Sequence, residues 1–276
     1  QATDFVHVST MGFLPLRHAE IRAVSGANLL ARTGYAQSKF VAEQLVAGVA
    51  ACQEAYAGRA RIRIIRPGVI CGDSVTGSSN LKDATSMLLA GLVQEGYACS
   101  SSESPIPQLF NLCPVDYVAA AIISIAALPW EQHEAEFPGA AFHLCARESI
   151  TLSELCEWIR QAGYELTEVG ARTFCSRVKK VNEDHPLFAL KSMLCQPLPS
   201  GPHCNASMES TGFSTPLADA CLHSLHNINK LRSDSATQLP TRSMTAPALG
   251  KVIANLLTRN GYPELVNQCA ERKRRP

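Results

Sequence analysis

The sequence has no apolar run long enough to span a membrane, because a spanning helix needs about 18 or more consecutive apolar residues. Its most apolar stretch, residues 115–128, is shorter than this and contains Asp116. A large charge of one sign is also missing, since the formal net charge at pH 7 is +1. This balance gives no electrostatic case for nucleic acid as the main partner. We therefore expect neither a membrane nor a nucleic acid among its partners.

The cysteines form neither a disulfide framework nor a metal site. There are 11, an odd number, and no C-x-x-C pair occurs. Several lie within apolar stretches, as Cys145 does in F-H-L-C-A, which is typical of reduced, buried thiols in a cytoplasmic protein. Cys221, His223 and His226 could ligate a metal, but no other ligands at suitable spacing accompany them. We predict no metal site.

What the sequence does contain is a globular composition over 276 residues, with 46% hydrophobic and 18% charged residues. Such a chain forms one large domain or two modest ones. Short apolar strands alternate with amphipathic helices up to about residue 165, which predicts a parallel α/β sheet. The predicted strands are residues 5–10, 61–66 and 141–145; the predicted helices begin near Gly34, residue 81, Asp116 (as N-cap) and the Thr151–Glu154 capping box. Residues 69–80 are predicted to be a loop.

The second half of the chain is less regular. After residue 165, short amphipathic pieces alternate with stretches rich in Pro, Ser and His, such as residues 196–203. One last clear helix is predicted near residues 246–259, where apolar side chains recur with a helical period. This pattern indicates a smaller, mostly helical region.

The segment T-G-Y-A-Q-S-K places Tyr35 four residues before Lys39 on a predicted helix. Side chains at this spacing lie on one helix face, and an ammonium group beside a phenol lowers the pKa of the phenol. Taken alone, this short and frequent pattern favours an exposed Tyr/Lys pair on a solvated helix face. However, Ser9 and Thr10 end one predicted strand and Pro67 closes another. In doubly wound sheets, ligands bind outside the carboxyl ends of the strands.

Four sequence blocks, in this order, resemble the thioester reductase domains that end nonribosomal peptide and polyketide synthetases. These domains belong to the extended short-chain dehydrogenase/reductase superfamily. The blocks are H-V-S-T-M-G-F-L-P (7–15), G-Y-A-Q-S-K-F-V-A-E (34–43), R-P-G-V-I-C-G-D-S-V-T-G-S-S-N (66–80) and P-V-D-Y-V-A (114–119). The resemblance implies the C-terminal part of a doubly wound, Rossmann-like parallel sheet with a smaller, mostly helical substrate-binding cap.

The resemblance also implies roles for individual residues. Tyr35 would be the general acid, and Thr10 would be the second hydrogen-bond donor to the substrate oxygen. Thr10 is favoured over the adjacent Ser9 by its spacing to Tyr35. Lys39 would hold the nicotinamide ribose and lower the pKa of Tyr35. The cofactor-binding residues implied in this way are Tyr35, Lys39, Pro67, Gly68, Val69 and Ile70.

The implied reaction is hydride transfer from NADPH to an acyl or peptidyl thioester on the phosphopantetheine arm of a carrier domain. The product would be an aldehyde, and a second reduction to an alcohol occurs in this family. Upstream synthetase domains would be the other partners, and the enzyme would be cytoplasmic. The cofactor carries the redox chemistry, and the protein supplies orientation and charge stabilisation.

One element of the family is missing from the sequence. No G-x-x-G-x-x-G turn follows a first strand, although the family binds the cofactor pyrophosphate there. We expect this loop to precede Gln1. The predicted domains are then a truncated NAD(P)-binding domain (1–147), a cap (148–265) and a basic tail (266–276). A parallel sheet cut near its middle exposes apolar edges, so we expect the isolated chain to bind NADPH poorly, to be inactive and to aggregate.

Two alternatives remain open. The first stays within the superfamily: a fatty acyl-CoA reductase or a sugar-nucleotide epimerase/dehydratase. The second is a non-catalytic remnant or protein-binding module that keeps the fold, which the missing glycine-rich loop favours. Turnover of free acyl-CoA or of a nucleotide sugar would identify the first alternative.

Overall fold

The computed structural model describes residues 4–11, 34–53, 61–99, 104–106, 109–127, 129, 141–195 and 243–258. These residues divide into two compact units, each discontinuous in sequence. Unit 1 holds the described residues up to 68 and those of 117–147; unit 2 holds those of 69–116 and all from 148 onward. The predicted tail (266–276) and the residues at 221–226 lie outside the described ranges.

The secondary structure of the described residues alternates between strands and helices. The strands are β1 (Asp4–Val8), β2 (Arg61–Pro67), β3 (Val69–Cys71), β4 (Tyr97–Cys99), β5 (Leu109–Phe110), β6 (Leu112–Pro114), β7 (Ala141–Leu144), β8 (Ile150–Thr151) and β9 (Thr167–Val169). The helices are α1 (Gly34–Gln53), α2 (Ala84–Glu95), α3 (Val115–Ala126), α4 (Leu152–Gln161), α5 (Ala171–Lys180), α6 (Lys191–Leu194) and α7 (Ala246–Thr258), with a 3₁₀ turn at Phe188–Leu190. Among these helices, none is long and apolar enough to cross a membrane.

Unit 1 is built around a parallel sheet with the strand order β1-β2-β7. The register pairs Val8 with Ile65 and Arg66 with His143. Burial increases toward the carboxyl ends of β2 and β7, and Ile65 has no exposed surface. Strand β2 has the sequence R-I-R-I-I-R-P, and two of its arginines, Arg63 and Arg66, are buried. The predicted parallel α/β arrangement is present, and β2 and β7 lie where they were predicted. Strand β1 ends at Val8, two residues earlier than predicted, so Ser9 and Thr10 follow the strand.

Unit 2 has a continuous apolar core to which α2, α4 and α7 contribute. Capping residues determine where two of these helices begin. Thr151 accepts a hydrogen bond from the Glu154 amide (3.1 Å), and the Glu154 carboxylate accepts one from the Thr151 amide (2.7 Å), which confirms the capping box. The Asp83 carboxylate accepts from the amides of Thr85 and Ser86, so α2 begins at residue 84 rather than 81.

Two predictions about local structure are wrong. Residues 69–71 belong to a strand rather than a loop, because β3 pairs in parallel with β6. Asp116 is not an N-cap, since α3 begins one residue earlier. Its carboxylate instead accepts hydrogen bonds from the Ser74 amide (3.0 Å) and the Ser74 hydroxyl (2.7 Å). The Asp116 carboxylate therefore accepts hydrogen bonds from Ser74, a residue distant in the chain, and not from amides at the start of α3.

Candidate active site

Thr10 lies directly beyond the carboxyl end of β1. The backbone there continues along β2, because the Ser9 amide donates to the Ile65 carbonyl (2.7 Å) and the Met11 amide to the Pro67 carbonyl (3.1 Å). Thr10 between them is half-buried, whereas Ser9 is buried. Within the part of the chain that the structure describes, the Ser9 hydroxyl oxygen has no hydrogen-bond partner. Thr10 is therefore the more exposed of these two residues.

Tyr35 and Lys39 lie in the first two turns of α1. Tyr35 is 61% exposed, so its hydroxyl group is reachable from outside the unit. The Lys39 ammonium Nζ donates to the Val8 carbonyl oxygen at 3.3 Å. This bond attaches the start of α1 to the carboxyl end of β1, two residues before Thr10. The structure therefore brings the helix that carries Tyr35 and Lys39 to the strand end that carries Thr10.

The turn after β2 was predicted to meet a nicotinamide. The Gly68 amide donates to the Leu144 carbonyl (2.8 Å), and the Val69 amide donates to the Asn111 carbonyl (3.0 Å). The Pro67 carbonyl accepts from the Met11 amide. These groups already have partners. A cofactor that contacts this segment would have to use its remaining polar groups, in Pro67, Gly68, Val69 or Ile70.

A buried charge network joins α1 to β2 and β7, and no sequence pattern predicted it. The Arg66 guanidinium donates from Nε to the Glu43 carboxylate at 3.1 Å, and a second bond joins its Nη2 to the other Glu43 oxygen. Arg66 Nη1 lies 3.4 Å from His143 Nε2. All three side chains are buried. Glu43 and Arg66 both stand inside the quoted blocks, but their pairing spans 23 positions and has no local signal.

The pKa of His143 follows from this environment. Burial is the main cause that lowers it from 6.5 to about 3, and the nearby Arg66 guanidinium contributes to the same shift. The imidazole is therefore neutral at neutral pH, and its Nε2 can accept a hydrogen bond from Arg66.

We expect His143 to make the protein acid-sensitive. Because its pKa is lower in the folded than in the unfolded protein, protons bind the unfolded state preferentially below pH 6.5. The contribution of neutral His143 to the free energy of unfolding is then fully present above this pH, and it is lost progressively as the pH falls toward 3. Between about pH 7 and about pH 5 the expected loss is roughly 2 kcal/mol.

Urea unfolding of the wild type and of His143→Gln at several pH values measures this effect. The glutamine keeps a neutral acceptor near Arg66 but cannot titrate. The free energy of unfolding should fall less steeply with acid in the variant, and identical slopes would contradict the assignment.

The cysteines in the described ranges are mostly buried. Seven are not in disulfides, of which five are buried and two, Cys175 and Cys195, are half-buried. Burial raises the pKa of Cys71 to about 12 and that of Cys156 to about 11, so both stay protonated at neutral pH. Among the described residues, no three His, Cys, Asp or Glu side chains converge in a way that could hold a metal ion.

Comparison with known proteins agrees with this geometry. Residues 1–122 match the NAD-binding family described as male sterility protein. The match includes Thr10, Tyr35, Lys39 and the segment from Pro67 to Ile70. The family thereby supports a nicotinamide dinucleotide as cofactor.

Large synthetases and reductases contain similar segments. The nonribosomal peptide synthetase asaC of Aspergillus flavus is 28% identical over 171 residues, which is 60% of this chain and 15% of the synthetase. The large subunit of L-2-aminoadipate reductase from Penicillium chrysogenum is 36% identical over 111 residues, 38% of this chain and 7% of that protein. The chain thus spans only a small part of these relatives.

A solved structure extends the similarity beyond the matched family. The terminal R domain from the myxalamid PKS-NRPS biosynthetic pathway aligns with a TM-score of 0.65 and 28% identity, covering 92% of this chain and 58% of that domain. The resemblance to synthetase-terminal reductase domains and the Rossmann-like α/β fold class, both predicted from the sequence, are confirmed.

Proposed function

We propose that this chain is part of a reductase that releases an acyl or peptidyl thioester from a phosphopantetheinyl carrier domain as an aldehyde. NADPH is the reductant in this proposal, and upstream synthetase domains are the partners. The observation that carries it is the bond from Lys39 to the Val8 carbonyl, which holds the Tyr35 helix beside the strand end that bears Thr10. The similarity to a terminal R domain supplies the reaction class.

The side chains have distinct roles in the proposed reaction. Thr10 and Tyr35 donate hydrogen bonds to the thioester oxygen, where negative charge develops. NADPH, when bound, supplies the hydride. The carbonyl carbon accepts the hydride while its oxygen takes the proton of Tyr35, which gives a hemithioacetal. When this collapses, the C–S bond breaks, the carbonyl re-forms as an aldehyde, and the sulfur leaves with the hydroxyl proton as a free thiol.

Lys39 fits the role of a cofactor-binding residue. An ammonium group has three donor protons, and the bond to Val8 uses one of them. The others can serve the ribose hydroxyls without loss of the anchor to β1. The exposed position of Tyr35 on the preceding helical turn leaves its hydroxyl accessible to substrate.

Substrate selection is proposed for residues 148–265, and NADPH binding for residues 1–147. Helix α4, with its capping box, contributes to an apolar core that it shares with α2, α7 and other residues between 71 and 112. Specificity for the acyl chain would then reside in residues that contribute nothing to hydride transfer.

The test is turnover by the full-length protein with an acyl group loaded on a carrier domain. We expect NADPH to be oxidised in step with the appearance of aldehyde and free carrier thiol. Free acyl-CoA and a nucleotide sugar are the competing substrates. Faster reduction of acyl-CoA than of the carrier thioester, or conversion of the nucleotide sugar, would replace the proposal by the corresponding alternative. No turnover of any of these, together with no NADPH binding, would favour a non-catalytic module.

A further inference from the structure

Three residues on α1 recur at intervals of four: Tyr35, Lys39 and Glu43. This spacing puts them along one side of the helix in successive turns. Their exposure falls along the row, since Tyr35 is exposed, Lys39 is half-buried and Glu43 is buried. The row therefore runs from the accessible end of the helix into the interior of unit 1.

The two deeper members of this row contact different strands. Lys39 reaches the last residue of β1 through the Val8 carbonyl. Glu43 pairs with Arg66, in β2, and Arg66 is opposite His143 of β7 in the sheet register. The helix is thus attached at two points one turn apart, and each attachment is near the carboxyl end of its strand. Two such attachments restrict both the sliding and the rotation of α1.

The chemistry of the Glu43–Arg66 contact suits a positioning role. A carboxylate and a guanidinium joined by two parallel hydrogen bonds have a narrowly defined geometry. Buried ion pairs often contribute little net stability compared with apolar side chains of similar volume, because both charges lose their hydration. What such a pair does supply is a defined orientation of the two groups. In unit 1 the pair therefore restricts the orientation of α1, the helix that bears Tyr35.

We propose that Glu43 and Arg66 are positioning residues that set the placement of Tyr35 and Lys39 relative to Thr10. The inference rests on the proposed function, since it gives those three residues their reactive roles. His143 supports the arrangement as a neutral acceptor on the far side of Arg66. A displacement of reacting groups by about 1 Å can lower a rate on the order of a hundredfold, so a small shift of α1 matters.

The test replaces Glu43 by Gln in the full-length protein. Glutamine has the same size but cannot form the charged, doubly bonded contact. The quantities to measure are kcat per folded molecule, with the folded fraction taken from circular dichroism, and the Kd of NADPH by fluorescence. We expect kcat per folded molecule to fall about tenfold or more and NADPH to bind more weakly, because both Tyr35 and Lys39 move.

Asp4→Asn is the matched control. It makes the same carboxylate-to-amide change at another residue that pairs with an arginine of β2, since Asp4 of β1 lies 3.5 Å from Arg63. Asp4 is at the opposite end of the strands from Thr10, so kcat and Kd should stay at wild-type values. If Glu43→Gln lowers only the melting temperature and leaves kcat per folded molecule and Kd unchanged, Glu43 is merely structural and the inference is wrong.

A second variant covers the case in which Glu43→Gln does not fold. Glu43→Asp keeps the charge but shortens the side chain by one methylene, so the ion pair can form only if α1 shifts. We expect an intermediate loss of kcat per folded molecule, and an unchanged value would overturn the inference. If the wild type binds NADPH but reduces no thioester, the proposed function fails. The Kd of the Glu43 variants then still decides whether this contact positions Lys39.

Discussion

Tyr35→Phe should reduce carrier-bound thioester more slowly than the wild type by a factor on the order of a hundred to a thousand. Removal of one preorganised donor to a developing oxyanion typically has an effect of this size. In this protein the phenol would also supply the proton that the oxygen receives. Thr10 remains in the variant as the second donor, which is why some turnover should persist. The measurement is kcat with saturating NADPH and loaded carrier.

The fold should survive this substitution. Tyr35 is 61% exposed, so loss of its hydroxyl group leaves no buried polar group without a partner. Tyr97→Phe is the matched control, because its ring lies under the Arg177 guanidinium at 3.7 Å and a phenylalanine ring keeps that stacking. Tyr97→Phe should retain wild-type kcat. If Tyr35→Phe also did so, Tyr35 would not be the proton donor and the proposed mechanism would be wrong.

Gly77→Ala should destabilise unit 2 by about 3 kcal/mol or more, through backbone strain and overpacking together. Gly77 has φ +73°, which places it in the left-handed region. A Cβ atom there would be 2.3 Å from the Lys251 carbonyl oxygen and 2.5 Å from the carbonyl carbon. These are backbone atoms within α7 and cannot rotate away as a side chain would. The loop after β3 would have to move off the helix.

Thermal or urea unfolding measures this cost, and Gly250→Ala is the control within α7 itself. Its added Cβ would meet the Ala162 Cβ at 3.4 Å, which is at the short end of ordinary van der Waals contact. Alanine is favoured over glycine in a helix by about 1 kcal/mol, so we expect a neutral or stabilising change. Equal stability of the Gly77→Ala protein and the wild type would mean that the loop does not need this close approach.

The candidate site was largely visible in the sequence because its residues lie in short motifs. Tyr35 and Lys39 are one helical turn apart, and Thr10 directly follows an apolar strand. Their roles as catalytic and cofactor-binding residues remain predictions, and Tyr35→Phe tests the role of Tyr35. The Glu43–Arg66 contact was not predicted, although both residues stand in those motifs. Its partners belong to a helix and a strand 23 positions apart, and only their packing decides that they meet.

Asp116 shows the opposite case, in which a local rule led to a wrong prediction. An aspartate before an apolar helix is a favourable N-cap. Ser74, 42 positions earlier in the chain, competes for the same carboxylate with both its amide and its hydroxyl group. The helix then begins one residue earlier. A capping propensity of this kind is easily outweighed by two tertiary hydrogen bonds to a carboxylate.

The sequence by itself determined the features that depend on neighbours within a few residues. These are the alternation of strands and helices, the Thr151–Glu154 capping box, and the common helix face of Tyr35 and Lys39. Only the tertiary structure decided which strands pair, which amides near Gly68 already have partners, and that Arg66 is neutralised by Glu43 beside an uncharged His143. The physical reason is the separation along the chain between the residues that interact. Periodicity and capping act along the chain, whereas the partner of a buried charge depends on which distant elements pack against it.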